Sequence, residues 1–137
     1  TIITNSVENV IELADADTFE VISTGGILNE HSMSFMGSRT TDVINSYNAD
    51  KVFLSCKGLD AGRGATDGHD YLAGIKQQMI RSSVRTYLAV DSSKFDKTSF
   101  CKICDLKDVD VVITDARPND RWMKKFQENG IRCLYAK

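Results

Sequence analysis

The segment Val90-Asp91-Ser92-Ser93-Lys94-Phe95 sets an acid, two hydroxyls and a base directly behind the apolar run Tyr87–Val90. Such groups bind rather than pack. A carboxylate accepts hydrogen bonds from hydroxyls, while an ammonium and neighbouring backbone N–H groups hold an anion such as a phosphate. Polar groups of this kind recur behind other β-like runs. Thr4-Asn5 follows Ile2-Ile3, Gly25-Gly26 follows Phe19–Ser23, Gly58 and Asp60 follow Lys51–Cys56, and Thr114-Asp115 follows Val109–Ile113. Carboxylates and amides for hydroxyls, with lysine and backbone N–H for phosphate, suit a polyhydroxylated anion. The candidate ligand-binding residues are therefore Thr4, Asn5, Gly25, Gly26, Gly58, Asp60, Lys76, Asp91, Ser93 and Lys94.

Taken singly, each piece has an ordinary structural reading. Gly25-Gly26 fits a turn, Thr4 and Asn5 fit the cap of a following helix, and Asp91 and Asp115 fit helix starts or turns. The segment "GRGATDG" resembles a phosphate loop in composition, yet it is neither GxGxxG nor a loop closed by GK[ST]. Lys76 is sharper. At 100° per residue it falls between Leu72 and Met79 on the apolar stripe of its helix. A lysine there either snorkels to solvent or meets an anion in a partly dry pocket. Lys94 and the glycine loop favour the anion.

The elements that must position these groups alternate along the chain. Thr1–Thr4, Phe19–Ser23, Lys51–Cys56, Arg85–Val90, Val109–Ile113 and Ile131–Tyr135 read as strands. Val7, Val10, Ile11 and Ala14 mark a helix face behind Asn5 or Ser6 as N-cap. Further helices are predicted over about 37–48 and 71–83, and a last one around Trp122, Met123 and Phe126, opened near Pro118 and stopped at Gly130. Short apolar strands alternating with helices predict an α/β fold, a mostly parallel, Rossmann-like sheet with helices on both faces. In such sheets ligands sit at the carboxyl ends of the strands, where the candidates fall.

Composition narrows the function classes. The chain has 137 residues, enough for one domain with a full core. Its formal net charge of -2 argues against a nucleic-acid surface on this segment. No apolar run reaches the roughly 20 residues that cross a bilayer, so no membrane partner is expected. Of four cysteines, Cys56 and Cys133 fall in strand-like runs, while Cys101 and Cys104 form a lone CxxC. A structural zinc site wants four ligands, and His31 and His69 are far apart. Neither a metal nor a cofactor is expected, and a reduced, cytoplasmic protein is. The opening Thr1-Ile2-Ile3-Thr4 starts inside a strand and reads as a fragment of a longer protein.

"TNS", "GG", "GLDAGRGAT", "IKQQMI", "VDSSKF" and "VVITD" follow one another in an order that covers nearly the whole chain. In this the chain resembles the carboxyl-terminal effector-sensing domain of DeoR-family bacterial transcriptional repressors. The resemblance implies a fold like ribose-5-phosphate isomerase and glucosamine-6-phosphate deaminase, and a phosphorylated sugar as effector. It also implies an amino-terminal winged helix-turn-helix that reads DNA, and a homo-oligomer, dimer or tetramer. Residues 1–137 would then be one sensing domain, with the helix-turn-helix and a first strand–helix unit outside this fragment. The family often carries a Glu where this chain has Leu72, which weighs against isomerase- or deaminase-like proton transfer. The expected role is ligand sensing with no catalytic residue; a phosphosugar isomerase or deaminase is the alternative.

Overall fold

Strand–helix alternation survives folding, with more short strands than periodicity marks. The computed structural model describes all 137 residues. In chain order they form β1 (Ile2–Thr4), α1 (Val7–Glu12), β2 (Val21–Ser23), β3 (Ile27–Asn29), β4 (Ser34–Met36), α2 (Ser38–Asn45), β5 (Ala49–Leu54), β6 (Gly58–Asp60), β7 (Gly64–Asp67), α3 (Asp70–Arg81), β8 (Ser83–Ala89), β9 (Cys101–Cys104), β10 (Val111–Thr114), α4 (Asp120–Glu128) and β11 (Arg132–Tyr135). The chain divides into two compact units, Thr1–Tyr47 and Asn48–Lys137. No helix is long and apolar enough to cross a membrane.

In the first unit β1 and β2 pair in parallel and β3 and β4 form an antiparallel hairpin. Ser6 is the N-cap of α1, its side chain accepting the Asn9 N–H at 3.2 Å. The hairpin lies in the polar stretch that periodicity leaves unassigned. Three-residue strands are too short to show an alternation.

The second unit carries the main sheet, in the order β11-β10-β8-β5 with every pair parallel. Its register aligns Leu54 with Leu88 and Leu88 with Val112. Side chains alternate across a strand, so Val52, Leu54 and Cys56 share a face with Leu88, Val90 and Val112. That face meets Ala73 of α3 and Trp122 and Phe126 of α4 in one buried cluster. Asp70 in the first turn of α3 and Arg81 in its last complement the helix dipole.

The last helix is bounded as its sequence predicts, one detail apart. Gly130 has φ +67°, its N–H donates to Gln127 O, and the Ile131 N–H donates to Phe126 O at 2.8 Å. This is a Schellman ending, closed by the apolar pair Phe126 and Ile131. Pro118 precedes the cap rather than opening the helix; Asn119 caps it, accepting the Trp122 N–H at 3.0 Å.

The glycine-rich segment is more regular than a loop: "GLDAGRGATD" forms the antiparallel hairpin β6–β7, extended by β9 into a three-stranded sheet. Asp60 builds its turn, Oδ1 accepting the N–H groups of Gly62 at 2.9 Å and Arg63 at 2.8 Å. Strand β9 holds the CxxC pair, where Cys101 donates to Asp70 at 3.1 Å and joins the sheet to α3. Cys56, Cys101 and Cys104 are buried free thiols, and Cys133 is half-buried. Burial pushes Cys56 up to about 11 and Cys104 up to about 12, while the Asp70 carboxylate, ahead of burial, raises Cys101. The thiolate is the reactive form. With Ellman's reagent at pH 8 the native protein should release colour from Cys133 alone, the other three following only on unfolding. Prompt reaction of two or more thiols in the native state would contradict this packing.

Candidate functional site

Parallel pairing brings the carboxyl ends of β5, β8 and β10 to one edge of the main sheet, and there the second unit collects its polar groups. Asp91 follows β8 and opens a 3-10 turn, Ser92–Lys94. Its Oδ1 accepts the Ser93 N–H at 2.8 Å and also the Ser93 hydroxyl. These bonds, the hydroxyl's first, hold the Asp91 carboxyl below the usual range. Asp115, after β10, accepts from Ser92 through both N–H (2.5 Å) and hydroxyl (3.0 Å), stitching two strand ends together. The Ser92 N–H chiefly lowers its pKa as well. Lys94 lies in the same turn, half-buried, its ammonium in no salt bridge. Among the candidate lysines it is the one outside any salt bridge, its charge helping to lower the Asp91 carboxyl.

Lys76 does meet an anion, and the anion belongs to the protein. Its Nζ donates to Asp67 Oδ2 at 2.5 Å and to the Ser55 carbonyl at 2.8 Å, just past the end of β5. The Asp67 side chain is 3% exposed and that of Lys76 20%. Asp67 Oδ1 takes the Gly68 N–H at 2.8 Å. Sequence reasoning passes over Asp67 because it lies within "GATDG", read as loop. The signal for it is the lysine itself, since an ammonium on an apolar stripe needs a buried counter-charge. Two of the three ammonium donors are used, leaving one for a ligand.

Gly58 acts through close approach. A Cβ there would stand 2.5 Å from the Lys97 carbonyl oxygen and 3.0 Å from Thr66 Oγ1. Contact with Lys97, and a parallel bridge between Leu59 and Phe95, dock the β6 loop against the chain that leaves the Asp91–Lys94 turn. Asp60 spends one carboxylate oxygen on its own turn.

The other four candidates lie in the first unit, at the carboxyl ends of β1 and β2. Thr4 Oγ1 accepts the Ser6 N–H at 3.1 Å and Asn9 Nδ2 at 3.2 Å. Asn5 grips β4, donating Nδ2 to Phe35 O at 3.0 Å and accepting the Phe35 N–H at 2.7 Å. The Gly25 carbonyl takes the Thr40 hydroxyl at 2.7 Å, and Gly26 at φ +118° leaves no room for a Cβ beside Thr40 and the Met36 carbonyl. Much of their polar capacity holds the unit together.

Residues 1–116 match the family model described as the DeoR C terminal sensor domain. The chain belongs to this family. Among curated relatives, an uncharacterized HTH-type transcriptional regulator of Bacillus subtilis, YulB, is 39% identical over 96% of this chain and 51% of its own length. The L-fucose operon activator of Haemophilus influenzae is 28% identical over 98% of this chain and 54% of its own length. The HTH-type transcriptional repressor GlcR of B. subtilis is 30% identical over 98% and 52%. The chain thus spans about half the length of these relatives, and each of the three is named as a regulator rather than an enzyme. One of the three is named an activator and another a repressor.

Two measurements probe this geometry. Lys76→Met strands a buried carboxylate and should cost about 2–4 kcal/mol in urea unfolding. Adding Asp67→Asn should restore most of that; a double variant as unstable as the sum of the singles would refute the pair. Separately, Ser93→Ala should move the Asp91 carboxyl resonance, followed by carbon NMR, to a higher titration midpoint. An unmoved midpoint would refute the Ser93 hydroxyl as the main cause.

Proposed function

We propose that this DeoR sensor domain binds a phosphorylated sugar at the carboxyl ends of β5 and β8, without catalysis, and so controls DNA binding by a separate amino-terminal helix-turn-helix. Support comes chiefly from Lys94, an ammonium in no salt bridge, in the turn that Asp91 and Ser93 build. Lys94 and the free donor of Lys76 take the phosphate or another anionic oxygen, and the open oxygens of Asp91 and Asp60 accept sugar hydroxyls. The backbone at Gly58 completes this set, while Thr4, Asn5, Gly25 and Gly26 are a separate candidate cluster at the strand ends of the first unit. Ser93 tunes Asp91 and offers its own oxygen as acceptor.

The parts that stabilise one charge also limit the chemistry. Asp91 is held ionised by Ser93, which suits an acceptor of hydroxyl hydrogen bonds. Leu72 offers no proton-transfer group on the helix of Lys76. Two HTH-type relatives support a DNA-reading module elsewhere in the polypeptide, and the relative named for an L-fucose operon supports a sugar-linked signal. The whole protein would act in the cytoplasm as a homo-oligomer, dimer or tetramer. Effector binding then shifts it between two arrangements that differ in sugar-phosphate affinity, since a ligand with equal affinity for both would shift nothing.

Thermal shift of the full-length gene product against a panel of hexose and pentose phosphates tests the reading. At about 100 times its Kd the effector adds roughly 2.7 kcal/mol of stability, and Lys94→Ala should weaken its binding by about tenfold or more. If no phosphosugar raises the melting temperature, or if Lys94→Ala binds the active one unchanged, the proposal fails.

A further inference from the structure

The backbone ladder between β8 and β10 runs as far as the Val90 N–H, which donates to the Ile113 carbonyl at 2.9 Å. One step further along a parallel ladder, the Ser92 N–H would meet the Asp115 carbonyl. The Asp115 side chain stands in for it. Its Oδ1 accepts the Ser92 N–H at 2.5 Å, and its Oδ2 accepts the Ser92 hydroxyl at 3.0 Å. The Thr114 hydroxyl donates to the same Oδ1 at 3.2 Å and orients the carboxylate. With both oxygens engaged, Asp115 is a brace rather than a ligand group.

The turn needs a brace. Asp91, Ser92 and Ser93 are exposed, and a short exposed turn with few packed side chains opens readily. Beyond Lys94 the chain is held several times over. Phe95 meets the Trp122 ring edge-on, centroids 5.1 Å apart, and bridges to Leu59 in parallel. Asp96 accepts the Trp122 Nε1–H at 3.1 Å and pairs with Arg121. Ahead of Lys94, the bonds of Asp91 run within the turn itself, from its carboxylate to Ser93 and from its carbonyl to the Lys94 N–H. Asp115 is the side chain that ties this end of the turn to the neighbouring strand.

We infer that Asp115 is a positioning residue of the effector site: it fixes the Ser92–Lys94 turn against β10 and so holds the Lys94 ammonium where an incoming phosphate meets it. This rests on the reading of Lys94 as the phosphate-binding cation. The physical gain is preorganisation. A turn already ordered spares the effector the entropy of ordering it on binding. Asp115 touches no effector, so its contribution runs through Lys94.

Isothermal titration of the full-length gene product, with the phosphosugar that most raises its melting temperature, tests this. Asp115→Ala should weaken binding by about tenfold. Asp115→Asn, which keeps an oxygen for the Ser92 N–H, should recover most of that loss. Lys94→Ala combined with Asp115→Ala should bind no more weakly than Lys94→Ala alone, since a brace without its lysine positions nothing. Losses that add, or an Asn variant as weak as the Ala, would overturn the inference. Nitrogen-15 relaxation without effector separates it from the effector reading. In Asp115→Ala the Lys94 amide order parameter should fall from about 0.85 to below about 0.6 while β8 and β10 stay unchanged. An unaltered value would overturn the brace whatever binds. A native protein that takes up no phosphosugar would refute the effector reading, and the order parameter would still decide the brace.

Discussion

Parallel hydrogen bonding in the register Leu54–Leu88–Val112 sends the carboxyl ends of β5, β8 and β10 to the same edge of the sheet, and the chemistry of the second unit follows from that. Backbone groups at strand ends lose their ladder partners and must find others. Here side chains supply them: Asp115 takes the Ser92 N–H and Asp91 that of Ser93. What begins as satisfaction of the backbone leaves carboxylates ionised and a lysine held in a short turn. The candidate site is thus a consequence of how the sheet ends.

Lys76 adds the second constraint. Its ammonium sits on the core side of α3, and the Asp67 carboxylate with the Ser55 carbonyl makes that position tolerable. Such a pair contributes little net stability, because desolvation offsets much of the attraction, yet losing either half is costly. Its service is positional. It ties α3 to the end of β5 and to the end of β7.

The sequence made some of this legible and hid the rest for physical reasons. The parallel strands were readable because Val52–Leu54, Tyr87–Val90 and Val111–Ile113 are continuous apolar runs with polar ends. The Schellman ending was readable because Gly130 has few other uses after an amphipathic helix. The hairpins β3–β4 and β6–β7 were not, since strands of three or four residues carry no measurable period and glycine-rich turns imitate binding loops. Asp67 is hidden for the same reason, and nothing in the sequence tells that one Asp60 oxygen closes a turn. The resemblance to DeoR sensors reached the family; it did not reveal which polar atoms the fold itself consumes.

Amide shift mapping of the full-length protein by proton–nitrogen NMR, titrated with the phosphosugar that most raises its melting temperature, tests the location most directly. The account predicts the largest changes at Ser92, Ser93 and Lys94, with the Lys76 ammonium and the Gly58 amide responding in step. Changes centred on other strand ends, with the Ser92–Lys94 turn silent at saturation, would contradict it.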